Sequence, residues 1–159
     1  MTKICVFSDS HGYAGNMIQA ISEEMPQYVI FLGDGAQDLH RTKKQFPSIE
    51  FLSVCGNCDR HSAAPLVLKT TIAGKKIFAA HGHHYEVKFD STYSTLRYAA
   101  LEADADIVLF GHTHIPYQDS GLGFDVIMNP GTISQFSGAT YGVLTIGFGK
   151  VNAEIKQIG

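Results

Sequence analysis

The chain is short of charge. Only 17% of its residues are Asp, Glu, Lys or Arg, below the ~25% of ordinary soluble domains, whereas 45% are apolar, and that balance excludes a disordered or charge-solvated chain. Neither sign of charge dominates. Lys and Arg number 12 against 15 Asp and Glu, leaving a net charge of -3, so the basic face that holds a nucleic-acid backbone is missing and no stable nucleic-acid complex is expected. Long hydrophobic runs are absent too: Tyr28 to Leu32 and Ile107 to Phe110 fall far short of the ~20 residues of a membrane span. The three cysteines, Cys5, Cys55 and Cys58, are too few and of the wrong parity for the disulfide framework of a small secreted domain. Met1-Thr2-Lys3 leads straight into an apolar strand without the order of a secretory signal, and a cytoplasmic location is the expectation. Linkers, repeats and low-complexity segments are missing as well. A length of 159 residues corresponds to about one domain, expected to run over residues 1–159.

What remains is patterned. Ile4 to Phe7 is a short apolar run, and Ala14, Met17, Ile18, Ile21 and Met25 then recur at helical spacing until Pro26. Tyr28 to Leu32 is a second strand, Ala36, Leu39, Lys43 and Phe46 mark a second helix, and Glu50 to Val54 is a third strand. Such short βα units suit a parallel sheet. The style changes after Gly56. Leu66 to Ile72 and Lys75 to Ala80 flank Ala73-Gly74, a hairpin turn, so the second half is expected to be antiparallel. A helix over Thr92 to Leu101 precedes strands at Ile107 to Phe110, Asp125 to Met128, Tyr141 to Phe148 and Val151 to Ile158. The glycine triplets at Gly121 and Gly147 precede no helix and read as hairpin turns rather than phosphate cradles. The sum is a layered α/β domain of two facing sheets with helices outside.

Histidine is what the chain has in excess, with eight copies, most of them clustered. Five apolar strands each end in a candidate metal ligand: Asp9 and His11, then Asp34, Asn57, His81, and finally His112 with His114. In α/β sheets ligands bind beyond the carboxyl ends of strands, where these loops converge. Within Asp9-Ser10-His11 and His112-Thr113-His114 the two-residue spacing projects both polar side chains to one side of an extended backbone. Seven candidates are too many for one metal. Two metals ~3.5–4 Å apart that share a carboxylate can use them all, with a bridging water completing the shells. Two divalent cations outweigh the charges of Asp9 and Asp34, so the natural guest is a phosphate oxyanion.

Asp9-Ser10-His11, Gly33-Asp34, Gly56-Asn57-Cys58-Asp59, the run from His81 and Gly111-His112-Thr113-His114 resemble, in order and spacing, the five motifs of the calcineurin-like metallophosphoesterases. The resemblance runs from Ile4 to at least Gly131 and takes in Asn129-Pro130-Gly131-Thr132. The short chain is similar to the small bacterial and archaeal phosphodiesterase branch. This resemblance implies a four-layer α-β-β-α sandwich of two mixed sheets flanked by helices, with a two-metal centre. One metal would take Asp9, His11 and His114, the other Asn57, His81 and His112, with Asp34 bridging, and a metal-bridging hydroxide would attack phosphorus in line. Mixed oxygen and nitrogen donors suit manganese, and also accept iron, cobalt, nickel or zinc. One departure stands out. Cys58 occupies a place where many members of the superfamily carry histidine, and a thiol of reference pKa ~8.5 is a poor proton donor to a leaving oxygen. Small phosphodiesters and good leaving groups are therefore expected to react better than alkyl monoesters.

Other residues admit plainer readings. His40 and His61 are expected at the surface. His83, two residues after His81, either enters the cavity as a phosphate contact and partly stands in for the lost histidine, with His84 then pointing away, or stays outside. Asp59 fits either a carboxylate that orients a ligand histidine or a cap on the next segment, and Asn129 to Thr132 either present donors near the site or form a turn. Cys55 and Cys58 spell a CxxC, but Gly56-Asn57 between them marks a turn rather than a helix start, against both redox and zinc-knuckle roles. The competing function is a protein-interaction scaffold, because the fold also resembles a eukaryotic retromer subunit with a degraded metal site. All seven ligand positions are intact here, which favours the enzyme. Exposed apolar residues of the second half would mark a homo-oligomer face.

Overall fold

The structure, a computed structural model, describes residues 1–135 and 138–159. Its first half is β1 (Thr2–Phe7), α1 (Gly15–Glu24), β2 (Tyr28–Phe31), α2 (Ala36–Gln45) and β3 (Glu50–Ser53). The second is β4 (Val67–Ile72), β5 (Lys75–Ala80), α3 (Ser94–Glu102), β6 (Ile107–Leu109), β7 (Tyr117–Gly121), β8 (Phe124–Asn129), β9 (Thr140–Gly147) and β10 (Lys150–Gln157). One sheet has the order β10-β9-β1-β2-β3 and the other β4-β5-β6-β8-β7. No described helix is long and apolar enough to cross a membrane.

Alternation along the strands builds the layers. In β1, Ile4 and Val6 turn to one face and Cys5 and Phe7 to the other, and all four are buried. The inward set meets Ile77, Ala79, Ile107, Leu109 and Met128 of the second sheet in a core between the sheets. The outward set packs on Met17, Ala20 and Ile21 of α1 and Leu39 of α2. On the far side Leu96 and Ala100 of α3 cover Phe78, Val108, Phe110 and Ile127. The result is helix, sheet, sheet, helix. Strands buried on both faces are continuous apolar runs, which is why β1, β2 and β6 stand out in the sequence.

The second half is not simply antiparallel. β4 pairs antiparallel with β5 and β7 with β8, but β5, β6 and β8 run parallel, because α3 crosses over between β5 and β6 and the β7–β8 hairpin returns the chain beside β6. β9 and β10 leave this half altogether and join β1 in the first sheet. β7 carries no apolar alternation; its Tyr-Gln-Asp-Ser-Gly sequence is mostly exposed at a sheet edge. The three expected hairpin turns are present, with positive φ at Ala73 and Gly74, at Leu122 and at Phe148.

Glu24, the last residue of α1, ties three strands together. It is met by Lys156 of β10 at 2.8 Å, Lys3 of β1 at 3.5 Å and the Tyr141 hydroxyl of β9 at 3.3 Å. Burial pushes its carboxyl up, but the bonds and charges of Lys156 and Lys3 outweigh that and hold it below the usual range. A folded-state value below the unfolded ~4.3 gives stability that is complete above that value and is lost as pH falls through the depressed one. Lys156→Met should therefore lower stability to urea at neutral pH by no more than about 1 kcal/mol, since the Lys156 side chain is 37% exposed and solvent screens the pair. The gap between wild type and variant should shrink as pH is taken below ~4. A gap independent of pH would mean that the lysine stem packs rather than pairs.

Candidate metal centre

The loops after β1, β2, β3, β5 and β6 meet at one end of the sandwich and are stitched by backbone bonds. Asp9 N–H donates to the Gly33 carbonyl, His11 N–H to that of Asp34 and Gly111 N–H to that of His81, at 2.9–3.0 Å. Within this crevice Asp9, His11 and His114 bring ligand atoms within 4.8 Å of one another, and so do Asp34, His81 and His112. The two sets overlap. Asp9 Oδ1 lies 3.2 Å from His114 Nε2 and 3.5 Å from His11 Nε2, and also 3.8 Å from His81 Nε2. Asp34 Oδ2 lies 3.2 Å from His81 Nε2 and 3.9 Å from His11 Nε2. Cys58 forms a third group with His11 and Asp34.

The donor chemistry fits divalent cations. Asp9 is fully buried; its Oδ2 accepts from the Ser8 hydroxyl at 2.5 Å and His112 N–H at 3.1 Å, while Oδ1 is buried with no hydrogen-bond partner among the described residues. A buried carboxylate oxygen that makes no hydrogen bond is costly, and a cation would relieve it. The ring nitrogens of His11 and His114 approach to 3.2 Å, and those of His81 and His112 to 3.1 Å. His81 pairs Nδ1 with the Leu32 carbonyl at 2.7 Å, which presents Nε2 to the carboxylates. Burial pulls the His81 pKa down, but the hydrogen bond it donates to Asp34 and the charges of Asp9 and Asp34 overcome it and raise it. Burial raises Asp34 in turn, and the His81 and Cys58 N–H bonds more than offset it, holding its carboxyl well below the usual range. His112 is pushed down to about 4 by burial and by the charge of His81. A raised pKa at His81 means that metal uptake there competes with a proton.

Residues 2–148 match the family model of the calcineurin-like phosphoesterase superfamily domain. The chain belongs to that superfamily. It is 29% identical over 131 residues to the probable metallophosphoesterase YsnB of Bacillus subtilis, covering 82% of this chain and 74% of the relative. A predicted phosphoesterase of Streptococcus pneumoniae shares its fold with a TM-score of 0.76 at 23% identity, over 98% of each chain. Vps29 of Entamoeba histolytica, in a zinc complex, also reaches 0.76, at 19% identity and over 99% of this chain and 100% of that one.

The candidate centre is braced by residues whose roles were open in the sequence. Asp59 neither touches a ligand histidine nor caps the segment after it; its carboxylate accepts the backbone N–H groups of Asp34, Gly35, Ala36 and Gly56 at 2.7–3.0 Å. It thereby clamps the β2 and β3 loops together and caps the start of α2. The loops approach so closely that a Cβ on Gly33 would lie 2.7 Å from the Gly56 nitrogen, and one on Gly56 would strike the Asp34 carboxylate. Asn129 donates to the Gly111 carbonyl and Thr113 hydroxyl, and the Thr132 hydroxyl donates to the Asp9 carbonyl at 2.7 Å. These two brace the first and last clusters from behind. Asp38, which spacing did not single out, accepts from the Ser10 hydroxyl at 2.6 Å and from Gly12 N–H at 2.9 Å.

Asn57 lies exposed on the same rim, its amide donating to Cys58 Sγ at 3.5 Å. His83 is half-buried beside the ligand histidines, with ring centroids 5.4 Å from His81 and 6.1 Å from His112, and its Nδ1 is buried without a partner among the described residues. His84 is exposed and packs on His83, and His40 and His61 are exposed. All three cysteines are free thiols. Asp59→Ala should leave a folded protein whose affinity for Mn²⁺ falls ~10–100-fold by calorimetric titration, the range for outer supports of metal ligands. Unchanged affinity would show that the clamp is not needed to place Asp34.

Proposed function

We propose that this chain is a phosphodiesterase with a two-metal centre. The carrying observation is the pair of overlapping ligand sets around two buried carboxylates, with Asp9 Oδ1 left without a hydrogen-bond donor. One cation would be held by Asp9, His11 and His114, the other by Asn57, His81 and His112. Asp34 lies between them: Cys58 N–H pins Oδ1 at 2.8 Å, and Oδ2 faces both His81 and His11. When bound, two divalent ions, manganese by preference, supply Lewis-acid polarisation of a phosphoryl oxygen and a water acidic enough to be a nucleophile at neutral pH.

The remaining residues set the substrate class. Burial and the charges of His84 and His81 lower the His83 pKa, so a neutral ring with an unpartnered nitrogen is placed to contact a phosphoryl oxygen. Cys58 stands where a proton donor to the leaving oxygen is wanted, and a thiol serves that role weakly. Diesters with good leaving groups are thus favoured over alkyl monoesters, and a small phosphodiester met in the cytoplasm is the substrate. A second reading, a scaffold with little catalysis, draws on the likeness in fold to Vps29; six ligand side chains gathered in two sets weigh against it.

Chelator-stripped protein should be inactive on bis(4-nitrophenyl) phosphate and regain activity with Mn²⁺, with 4-nitrophenyl phosphate turned over feebly alongside. His112→Ala should lower the restored rate by more than ~100-fold, beyond what loss of an outer support costs. Folded protein silent with every divalent metal would sink the enzyme reading. Equal turnover of an alkyl monoester and the aryl diester would sink the role given to Cys58.

A further inference from the structure

A cavity of about 480 Å³ opens beside the metal centre. His11, Asp34 and Cys58 of the centre line it, and so do Arg41 of α2 and Arg60 and His61 of the loop after β3. That volume lies in the range of small-molecule sites and exceeds what one phosphate needs. Of the chain's three arginines, Arg97 is engaged with Tyr117 and Asp119. The other two line this cavity, and neither has an ion-pair partner among the described residues. Two carboxylates also reach the cavity wall, but both are occupied from within: Asp38 by Ser10 and Gly12, Asp59 by four backbone N–H groups. Apart from Asp34, which belongs to the candidate centre and is met by Cys58 N–H and His81, the charged groups left to meet a ligand are cationic. A guanidinium offers a planar fork of donors that matches phosphate oxygens in pairs.

We propose that this cavity is a subsite for a second, non-reacting phosphate held by Arg41 and Arg60, so that the preferred substrate is a phosphodiester whose retained arm carries a further phosphate. The inference rests on the phosphodiesterase reading and names its substrate class. The scissile group lies among the ligand residues, and the retained arm extends along the start of α2. His61 adds a further donor at the cavity wall.

The test compares thymidine 5′-(4-nitrophenyl phosphate) with its 3′-phosphorylated counterpart on manganese-loaded protein, since the two share one leaving group and differ only in the second phosphate. The phosphorylated compound should show a kcat/KM higher by about 10- to 100-fold, the worth of charge-assisted bonds. Arg41→Gln/Arg60→Gln should erase that preference while leaving turnover of bis(4-nitrophenyl) phosphate unchanged, and each single variant should give an intermediate ratio. Lys43→Gln/Lys44→Gln, with the same change in net charge, should keep the preference. Equal kcat/KM for the two thymidine compounds in wild type, or an equal loss in the lysine variant, overturns the subsite. Should no diester be hydrolysed, the function reading fails by itself. Calorimetry with thymidine 3′,5′-bisphosphate against thymidine 5′-phosphate then reads the subsite without turnover. Tighter binding of the bisphosphate, lost in the arginine variant, sustains it, and equal affinity overturns it.

Discussion

Two buried carboxylates at the mouth of a crevice set the terms for the rest of the molecule. Asp9 is fully buried and Asp34 is 3% exposed, and like charges removed from water cost several kcal/mol each unless cationic or donor groups meet them. The chain answers with four histidines from three separate loops, the Ser8 hydroxyl and the N–H groups of Cys58 and His112. Position costs backbone energy as well. Asp9, His11, Asp34, His112 and His114 all have positive φ, between 46° and 70°, a region that disfavours non-glycine residues by ~1–2 kcal/mol each. Strain of that kind persists only where the surroundings over-determine it, and five of the thirteen non-glycine residues of positive φ among those described are gathered at this one site.

The surroundings that over-determine it are the two sheets. The loops after β1, β2, β5 and β6 leave strands buried on both faces, so these strands cannot slip without inverting a core. Their carboxyl ends are therefore fixed relative to one another before any side chain of the site makes a contact. Cross-loop bonds then set the loops themselves: Asp59 joins the second and third, and Thr132 and Asn129 hold the first and last. Crowding follows from this economy of space. Gly33 and Gly56 approach so closely that a side chain on Gly56 would displace the Asp34 carboxylate.

How much of this could be read from residues alone depends on where each signal resides. The ligand clusters were legible because each ends an apolar run, and two-residue spacing within Asp9-Ser10-His11 and His112-Thr113-His114 already aims both side chains one way. The layered architecture was legible in the uninterrupted apolar character of β1, β2 and β6. β7 was not, because an exposed edge strand has no buried face to impose alternation. The parallel run of β5, β6 and β8 was hidden because strand direction is set by the crossover through α3, and no local pattern in these short strands records it. Asp59 looked like a cap or a partner for histidine; its four backbone partners come from loops over twenty residues earlier as well as its own. Arg41 and Arg60 carried no signal, since a single arginine on a helix or in a loop is ordinary until the fold places both on one cavity.

The thiol at Cys58 and the cavity beside it belong to one argument. A site that lacks a good proton donor for the leaving oxygen has less to offer the reacting bond itself, and must draw more on how the substrate is held. Interactions with a non-reacting part of the substrate serve that purpose when they fix its orientation toward the reacting centre. Arg41, Arg60 and Cys58 line the same cavity, so on the proposed reading the groups that would grip the retained arm and the group that would meet the reacting phosphate are carried by one loop and one helix. Asp59 clamps both, through Gly56 on the loop and through Gly35 and Ala36 at the helix. The clamp that would position Asp34 for a metal would therefore also position the arginines for a second anion, and a change to it should act on both.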